Sequence, residues 1–285
     1  EVAARRLEPA NLAIVIVGKA NIVAPILAKA GIPFEAVGAT EPISRRERQA
    51  IRFAGSGTPE PKLVAQGARL LDQALEAAGG AARMAAIRSI VAKGKTRVAA
   101  QGQALEGELT RIFSAPDRLA LDVYVPLFAQ TYAVRVTPDA VWQRYGTQPR
   151  HDLAGEAADE ARWGLWRNRD VLLLRHREKG TTAFAAGVEK VKDRRCDVVI
   201  LRRADGRAET RVFLDQTTHL IVRLEYEEGG LRSREDYDDY RQLGGMMFAY
   251  QQHSEGGGRI VDTTFDELRL DGEVPPGLFD REAEE

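Results

Sequence analysis

Residues 118–136 read RLALDVYVPLFAQTYAVRV, and this stretch decides the fold class. Apolar residues occupy every second position over 118–125, and a similar alternation returns over 128–136. Because side chains two residues apart share one face of a strand, each segment predicts a strand with an apolar face. The short connection between the segments favours an antiparallel pair.

The two-residue period extends over most of the chain beyond Gly94. Segments 198–201 and 210–214 flank an Asp-Gly turn and predict a hairpin. Residues 219–227 alternate likewise, and a Gly-Gly-Gly turn at 256–258 separates two further strands. About eight to ten strands linked by short turns indicate an antiparallel sheet.

Helical spacing appears before and within these strands. Segments 62–78 and 81–93 place apolar residues on one stripe and end at glycines, and 152–166 shows the same spacing. A wide antiparallel sheet with helices at its start has to curl around its filling. The predicted fold class is therefore α+β, a curved antiparallel half-barrel covered by helices and preceded by a partial α/β unit.

The first 40 residues carry that partial unit. An apolar run at 12–17 predicts a strand buried on both faces, Asn21 is a candidate N-cap for a helix over 22–30, and 32–37 predicts a second strand. Such a unit cannot bury its sheet alone, so we expect residues 1–40 to be the end of a larger domain. Arg, Gly, Ser and Pro residues at 41–61 are typical of a linker, which leaves 62–285 as the main domain.

Composition and residue spacing exclude several function classes. The chain has 41 basic and 42 acidic residues, so the global charge excess expected of a nucleic-acid-binding protein is missing, and we predict no nucleic-acid partner. Its one cysteine, Cys196, and four histidines in separate predicted elements offer no metal-ligand spacing. We therefore predict no cofactor, no metal site and no catalytic residues.

Residues 4–18, ARRLEPANLAIVIVG, resemble the closing segment of insulinase/pitrilysin-type zinc peptidases. The zinc motif of that family, His-x-x-Glu-His, occurs nowhere in the sequence. The resemblance implies that this chain is the non-catalytic C-terminal part of an exported insulinase-like peptidase. Its partners would then include the upstream peptidase domains of the same chain.

Residues 62–279 resemble the periplasmic lipoprotein-carrier fold. The resemblance rests on LDQTTHLIV at 214–222, YDDYR at 237–241 and VPPGLFD at 274–280. It implies a curved half-barrel with helices in its mouth, an apolar cavity for a lipid or acyl chain, and a periplasmic or otherwise exported location.

One face of each predicted strand would line that cavity. The predicted lining residues are Leu119, Leu121, Val123, Tyr132, Val134, Val136, Val212, Leu214, Leu220, Val222, Leu224, Phe248 and Tyr250. The same side chains could instead pack permanently against the helices. The sequence leaves open a lipid-binding accessory domain and a structural or partner-binding module without a ligand, and it favours a self-contained hydrolase least.

Overall fold

The computed structural model describes residues 20–31, 58–100, 102–204, 209–228 and 230–280. The chain divides into two compact units, Glu1–Ile43 and Ser44–Glu285. In the first unit, α1 spans Ala20–Lys29, so the predicted helix is present and Asn21 lies inside it rather than at its cap. The strands predicted at 12–17 and 32–37 and most of the predicted linker lie outside the described residues. The domain division stays a prediction.

The described part of the second unit, from residue 58 onward, has two helices followed mainly by strands. The helices are α2 (Pro61–Ala77) and α3 (Ala81–Ala86) before the sheet, and α4 (Gly155–Trp166) and α5 (Arg169–Leu172) within it. The first strands are β1 (Ser89–Ala100), β2 (Gln103–Ser114), β3 (Arg118–Val125), β4 (Gln130–Val136), β5 (Val141–Tyr145) and β6 (His151–Asp152). The later strands are β7 (Thr181–Val191), β8 (Arg194–Arg203), β9 (Glu209–Asp215), β10 (Ile221–Glu228), β11 (Leu231–Leu243), β12 (Met246–Gly256) and β13 (Arg259–Leu270).

Within the described residues, thirteen strands form one sheet in the order β6-β5-β4-β3-β2-β1-β13-β12-β11-β10-β9-β8-β7. Two meanders, β1 to β6 and β7 to β13, meet where β1 pairs antiparallel with β13. The segment carrying α4 and α5 connects the two outer strands, β6 and β7. The first and last strands of the domain thus lie in the middle of an open, curled sheet.

The predicted fold class, α+β with a helix-covered half-barrel behind a partial α/β unit, is wrong. Among the described residues, strand residues outnumber helical ones, 52% against 23%, so one large antiparallel sheet dominates this part of the chain and its helices are few. The antiparallel pairing predicted for β8 and β9 is confirmed, with Val198 opposite Phe213, while the Asp-Gly turn at 205–206 lies outside the described residues. The antiparallel pairing of β3 with β4 is also confirmed, with Leu121 opposite Val134.

The helix predicted over 81–93 is the clearest local error. It ends at Ala86, and β1 begins at Ser89. Ile90 is fully buried between Phe113 of β2 and Leu270 of β13, so pairing on both sides outweighs a helical spacing of apolar residues. Gly94 lies at a bulge in this strand, where a Cβ would stand 2.1 Å from the Thr264 carbonyl oxygen.

The main core lies between the four helices and one face of the sheet, which we call the inner face. Helix α2 lies against β7 and β8, and α4 lies against β4 and β5. A smaller cluster covers the outer face and consists of Val191, Cys196, Val198, Phe213 and Val222. The inner face is therefore the place where a ligand would compete with the helices.

Candidate functional site

The thirteen predicted cavity residues separate into groups of different burial. Seven are buried in the main core among the helices: Val136, Val212, Leu214, Leu220, Leu224, Phe248 and Tyr250. Four are half-buried and pack against the edge of that core: Leu119, Leu121, Val123 and Val134. Tyr132 is half-buried next to these four, and its hydroxyl donates a hydrogen bond of 2.8 Å to Gln143 Oε1.

Val222 lies apart from the others because β10 contains an irregularity. The pairing of β10 with β9 shifts register between Ile221 and Arg223, so the strict two-residue alternation does not hold there. The Val222 side chain belongs to the outer cluster, whereas Leu220 and Leu224 belong to the main core. A bulge of this kind leaves no clear sign in the apolar pattern of the sequence.

The four half-buried residues form an apolar strip on the inner face. Leu121 pairs with Val134, and Leu119 and Val123 occupy the same face of β3 two residues to either side. Unlike the seven core residues, these side chains retain solvent-accessible surface. The apolar strip is therefore the part of the predicted lining where a bound ligand would bury apolar surface that is still exposed to solvent.

A polar cavity of about 140 Å³, which no pattern in the sequence predicts, lies beside the apolar strip. Its walls come from β2, β3, β10, β11, β12 and the segment from α4 to α5. The lining residues are Arg111, Leu119, Gly164, Arg167, Asn168, Arg169, Tyr226, Glu235, Tyr237 and Gln252. Leu119 belongs to both features, so the cavity and the apolar strip are continuous.

Glu235 organises the sheet side of this cavity. Its carboxylate accepts hydrogen bonds from the hydroxyls of Tyr226 (2.6 Å) and Tyr237 and from Gln252 Nε2 (3.1 Å). Burial and the neighbouring Glu235 carboxylate raise the pKa of both tyrosines, so the hydroxyls stay protonated and act as donors. Three donors around one carboxylate fix its position on the inner face.

Arg111 and Asp170 organise the helix side. Arg111 donates from Nη1 to Asp170 Oδ2 at 2.7 Å and from Nη2 to Asn168 Oδ1 at 2.6 Å. Arg169 Nε lies 3.5 Å from Asp170 Oδ1. Burial alone would raise the pKa of Asp170, but the Arg111 and Arg169 guanidiniums outweigh it and lower that pKa. The Asp170 carboxylate is therefore charged and shared by two arginines.

Two arginines also stack on aromatic rings at the cavity wall. The guanidinium carbon of Arg167 lies 3.9 Å from the ring centre of Tyr226, and that of Arg169 lies 4.9 Å from the ring centre of Tyr237. Desolvated contacts of this type contribute up to about 2 kcal/mol. They hold both cations against the sheet.

A second space on the inner face is much smaller. It measures about 30 Å³ and lies between α3, α5 and β12, next to Met84, Leu173 and Phe248. Such a volume admits about two water molecules at most. Next to Leu220 and Phe248, this space is therefore too small for a chain-like ligand.

In the part of the chain that the structure describes, no three His, Cys, Asp or Glu side chains converge on a possible metal position. Cys196 is buried in the outer cluster, where burial and then Asp215 raise its thiol pKa. No helix among the described residues is long and apolar enough to cross a membrane.

No protein-family model and no curated protein matches the sequence. Several solved structures share its architecture. A DUF1329 family protein from Desulfovibrio piger is 13% identical, and the match covers 77% of this chain and 98% of that chain with a TM-score of 0.56. A LolA superfamily protein from Nitrosomonas europaea is 13% identical over 75% of this chain and 96% of its own, with a TM-score of 0.51.

A domain assigned to outer-membrane lipoprotein sorting, from Vibrio parahaemolyticus, is 11% identical over 76% of this chain and 97% of its own, with a TM-score of 0.50. At these identities the likeness concerns the fold. It confirms the carrier-like architecture expected for residues 62–279, and none of these similarities bears on the insulinase-like segment. The chain therefore has a LolA-like fold.

Proposed function

We propose that residues 62–285 form a non-catalytic accessory domain that binds a lipid or acyl chain against the inner face of its sheet. The observation that supports this proposal is the half-buried apolar strip of Leu119, Leu121, Val123 and Val134. It lies on the inner face of the sheet, at the edge of the core that the helices cover.

Covering the apolar strip supplies the driving force for binding. Each methylene buried contributes about 0.8 kcal/mol, so a chain of several methylenes offsets part of the cost of association. The strip runs along one face of two paired strands, which suits an extended chain better than a compact ligand. The adjoining polar cavity would lie at one end of such a chain.

The location and the parent protein belong to the same proposal. The Vibrio parahaemolyticus neighbour is assigned to outer-membrane lipoprotein sorting, which supports a periplasmic or otherwise exported location for this chain. Attachment to upstream insulinase-like peptidase domains rests on the resemblance of residues 4–18. Those residues lie outside the described ranges.

The alternative is a structural or partner-binding module whose sheet is filled by its own helices. The observation that favours it is the space of about 30 Å³ left beside Met84 and Phe248. In that case the apolar strip would be a rim of the core rather than a binding surface.

Binding of a fluorescent fatty acid to the full chain and to two matched variants distinguishes these functions. Val134→Asp places a carboxylate on the apolar strip, whereas Val188→Asp makes the same change at an exposed valine of β7. Because burying an unpaired charge is costly, we expect Val134→Asp to weaken binding about tenfold or more and Val188→Asp to leave it unchanged. Circular dichroism verifies that both variants are folded.

No binding by the wild-type chain, or equal binding by both folded variants, would refute the carrier proposal. Leu224→Asp is a poor probe by comparison, because Leu224 is fully buried in the core and a carboxylate there would threaten folding itself.

A further inference from the structure

Two residues that line the polar cavity, Asn168 and Arg169, each carry a hydrogen-bond donor without an acceptor. Asn168 Nδ2 and Arg169 Nη1 are buried, and within the described residues neither has a hydrogen-bond partner. Asn168 is 8% exposed, and the Arg169 side chain is 10% exposed. A buried donor left unpaired loses its hydrogen bonds to water without replacement, so two such donors at one cavity need an explanation.

Arg167 adds a third donor group. It is 6% exposed, yet among the described residues its guanidinium has no carboxylate partner and contacts the ring of Tyr226 instead. A buried arginine ordinarily pairs with an acid. Its N–H groups are therefore available to a ligand in the cavity.

The orientation of the Asn168 amide follows from its neighbours. Its Oδ1 accepts from Arg111 Nη2 at 2.6 Å and from the Asp170 backbone N–H at 3.3 Å. If the amide oxygen and nitrogen were exchanged, the Asn168 NH₂ group would face the two donors, Arg111 Nη2 and the Asp170 backbone N–H. Nδ2 therefore has to be the unpaired atom.

The carboxylates in and next to the cavity wall are already engaged. Glu235 accepts three hydrogen bonds, and Asp170 is shared by Arg111 and Arg169. Three arginines, Arg111, Arg167 and Arg169, line the cavity. Glu235 is the carboxylate in its lining, and Asp170 lies next to the cavity between Arg111 and Arg169, which leaves one positive charge in excess. The cavity therefore offers free donors and positive charge to whatever enters it.

From this donor excess we propose that the polar cavity is an anion site that binds a carboxylate or phosphate group through Arg167, Asn168 Nδ2 and Arg169 Nη1. Its volume of about 140 Å³ accommodates such a group but not a whole lipid. The inference rests on the proposed function in one respect: because Leu119 joins the cavity to the apolar strip, the anion can be the head group of the bound amphiphile. A free anion is the other source of the same chemistry.

Calorimetric titration of the full 285-residue chain with three probes tests the site and its source. Palmitate and 1-hexadecanol have matched chains and differ in the charge of the head group, and inorganic phosphate has no chain. Arg167→Gln removes the free guanidinium. Asn168→Asp keeps the acceptor oxygen and replaces the unpaired donor by a negative oxygen. Arg69→Gln, at an exposed position of α2, is the control.

We expect one palmitate to bind per chain about tenfold or more tightly than 1-hexadecanol, and phosphate to compete with it. Each of the two cavity variants should abolish that preference, while Arg69→Gln keeps it. Thermal unfolding shows whether each variant is folded. Because the two cavity variants change different donor groups, one folded cavity variant is enough to test the site.

The remaining outcomes separate the two proposals. If palmitate and 1-hexadecanol bind equally and the cavity variants change neither, the anion site is refuted and the carrier proposal stands. If phosphate alone binds and the cavity variants abolish it, the anion site stands and the carrier proposal is refuted. If no probe binds the wild-type chain, both are refuted.

Discussion

Arg111 Nη1 lies 2.7 Å from Asp170 Oδ2, and the two side chains are only 15% and 3% exposed. The contact joins the middle of β2 to the short helix α5, which are separated in the chain by the four strands β3 to β6 and by α4. Because Asp170 remains charged in this setting, the pair anchors the helical segment to the sheet and holds Arg111 in the wall of the polar cavity.

Removal of the Arg111 charge should destabilise the domain strongly. Arg111→Met leaves the buried Asp170 carboxylate with Arg169 as its remaining cation, and loss of one partner of a buried pair costs about 3–5 kcal/mol. Arg177→Met is the control, because its 2.7 Å pair with Asp72 is half-exposed and contributes about 1 kcal/mol or less. Urea unfolding measures both changes, and equal losses would contradict the anchoring role.

The contact between α2 and β7 depends on Gly67. A Cβ at this position would stand 2.5 Å from the Phe184 Cα, so Gly67→Ala forces helix and strand apart. We expect a net loss of about 1–3 kcal/mol despite the better helix propensity of alanine. In Gly164→Ala of α4 the new methyl meets no atom within 4 Å, and we expect a gain of about 0.5–1 kcal/mol. If thermal unfolding showed that both variants gain stability, or that both lose it, the close-contact explanation would be disproved.

The turn between β9 and β10 depends on the Asp215 carboxylate. Asp215 Oδ1 accepts from the backbone N–H groups of Thr217 at 2.7 Å and Thr218 at 2.9 Å. Asp215→Ala should destabilise the chain by about 1–2 kcal/mol, because both amides lose their acceptor. Asp215→Asn keeps an oxygen that can accept from the two backbone N–H groups and should lose much less stability. Should denaturant titration find the two variants equally unstable, the charge rather than the hydrogen bonds would be responsible.

His253 should add a pH-dependent contribution to stability. Its ring nitrogens lie 2.6 Å from Asp262 Oδ1 and 3.0 Å from Glu255 Oε1, and these bonds raise its pKa above 6.5. A raised folded-state pKa gives stability that is fully present below the unfolded value and lost as pH rises through the folded one. His253→Gln should therefore lose more stability at about pH 6 than at about pH 9.

Comparison of the free energies of unfolding at the two pH values measures this effect. His151→Gln, at an exposed residue of β6, serves as the control. Because His253 lies at the surface, the difference is small, and a loss that does not change with pH would contradict the ionic role.

Local patterns in the sequence determined the strands and several turns. The alternation over 118–136 predicts β3 and β4 because residues two apart necessarily share a face of an extended chain. The antiparallel pairing of β8 with β9 is predicted from the Asp-Gly sequence between them in the same way. Both rest on interactions between near neighbours, which the order of residues specifies directly.

Tertiary structure alone decided the assignment of β1, the orientation of Val222 and the position of the polar cavity. β1 is a strand because β2 and β13 pair with it from both sides, and Val222 faces outward because a bulge interrupts β10. The polar cavity joins Arg111 to Glu235 and Gln252, residues on strands far apart in the chain. Their meeting depends on the curl of the sheet and on the long-range register of its strands, and no periodicity within a single segment carries that information.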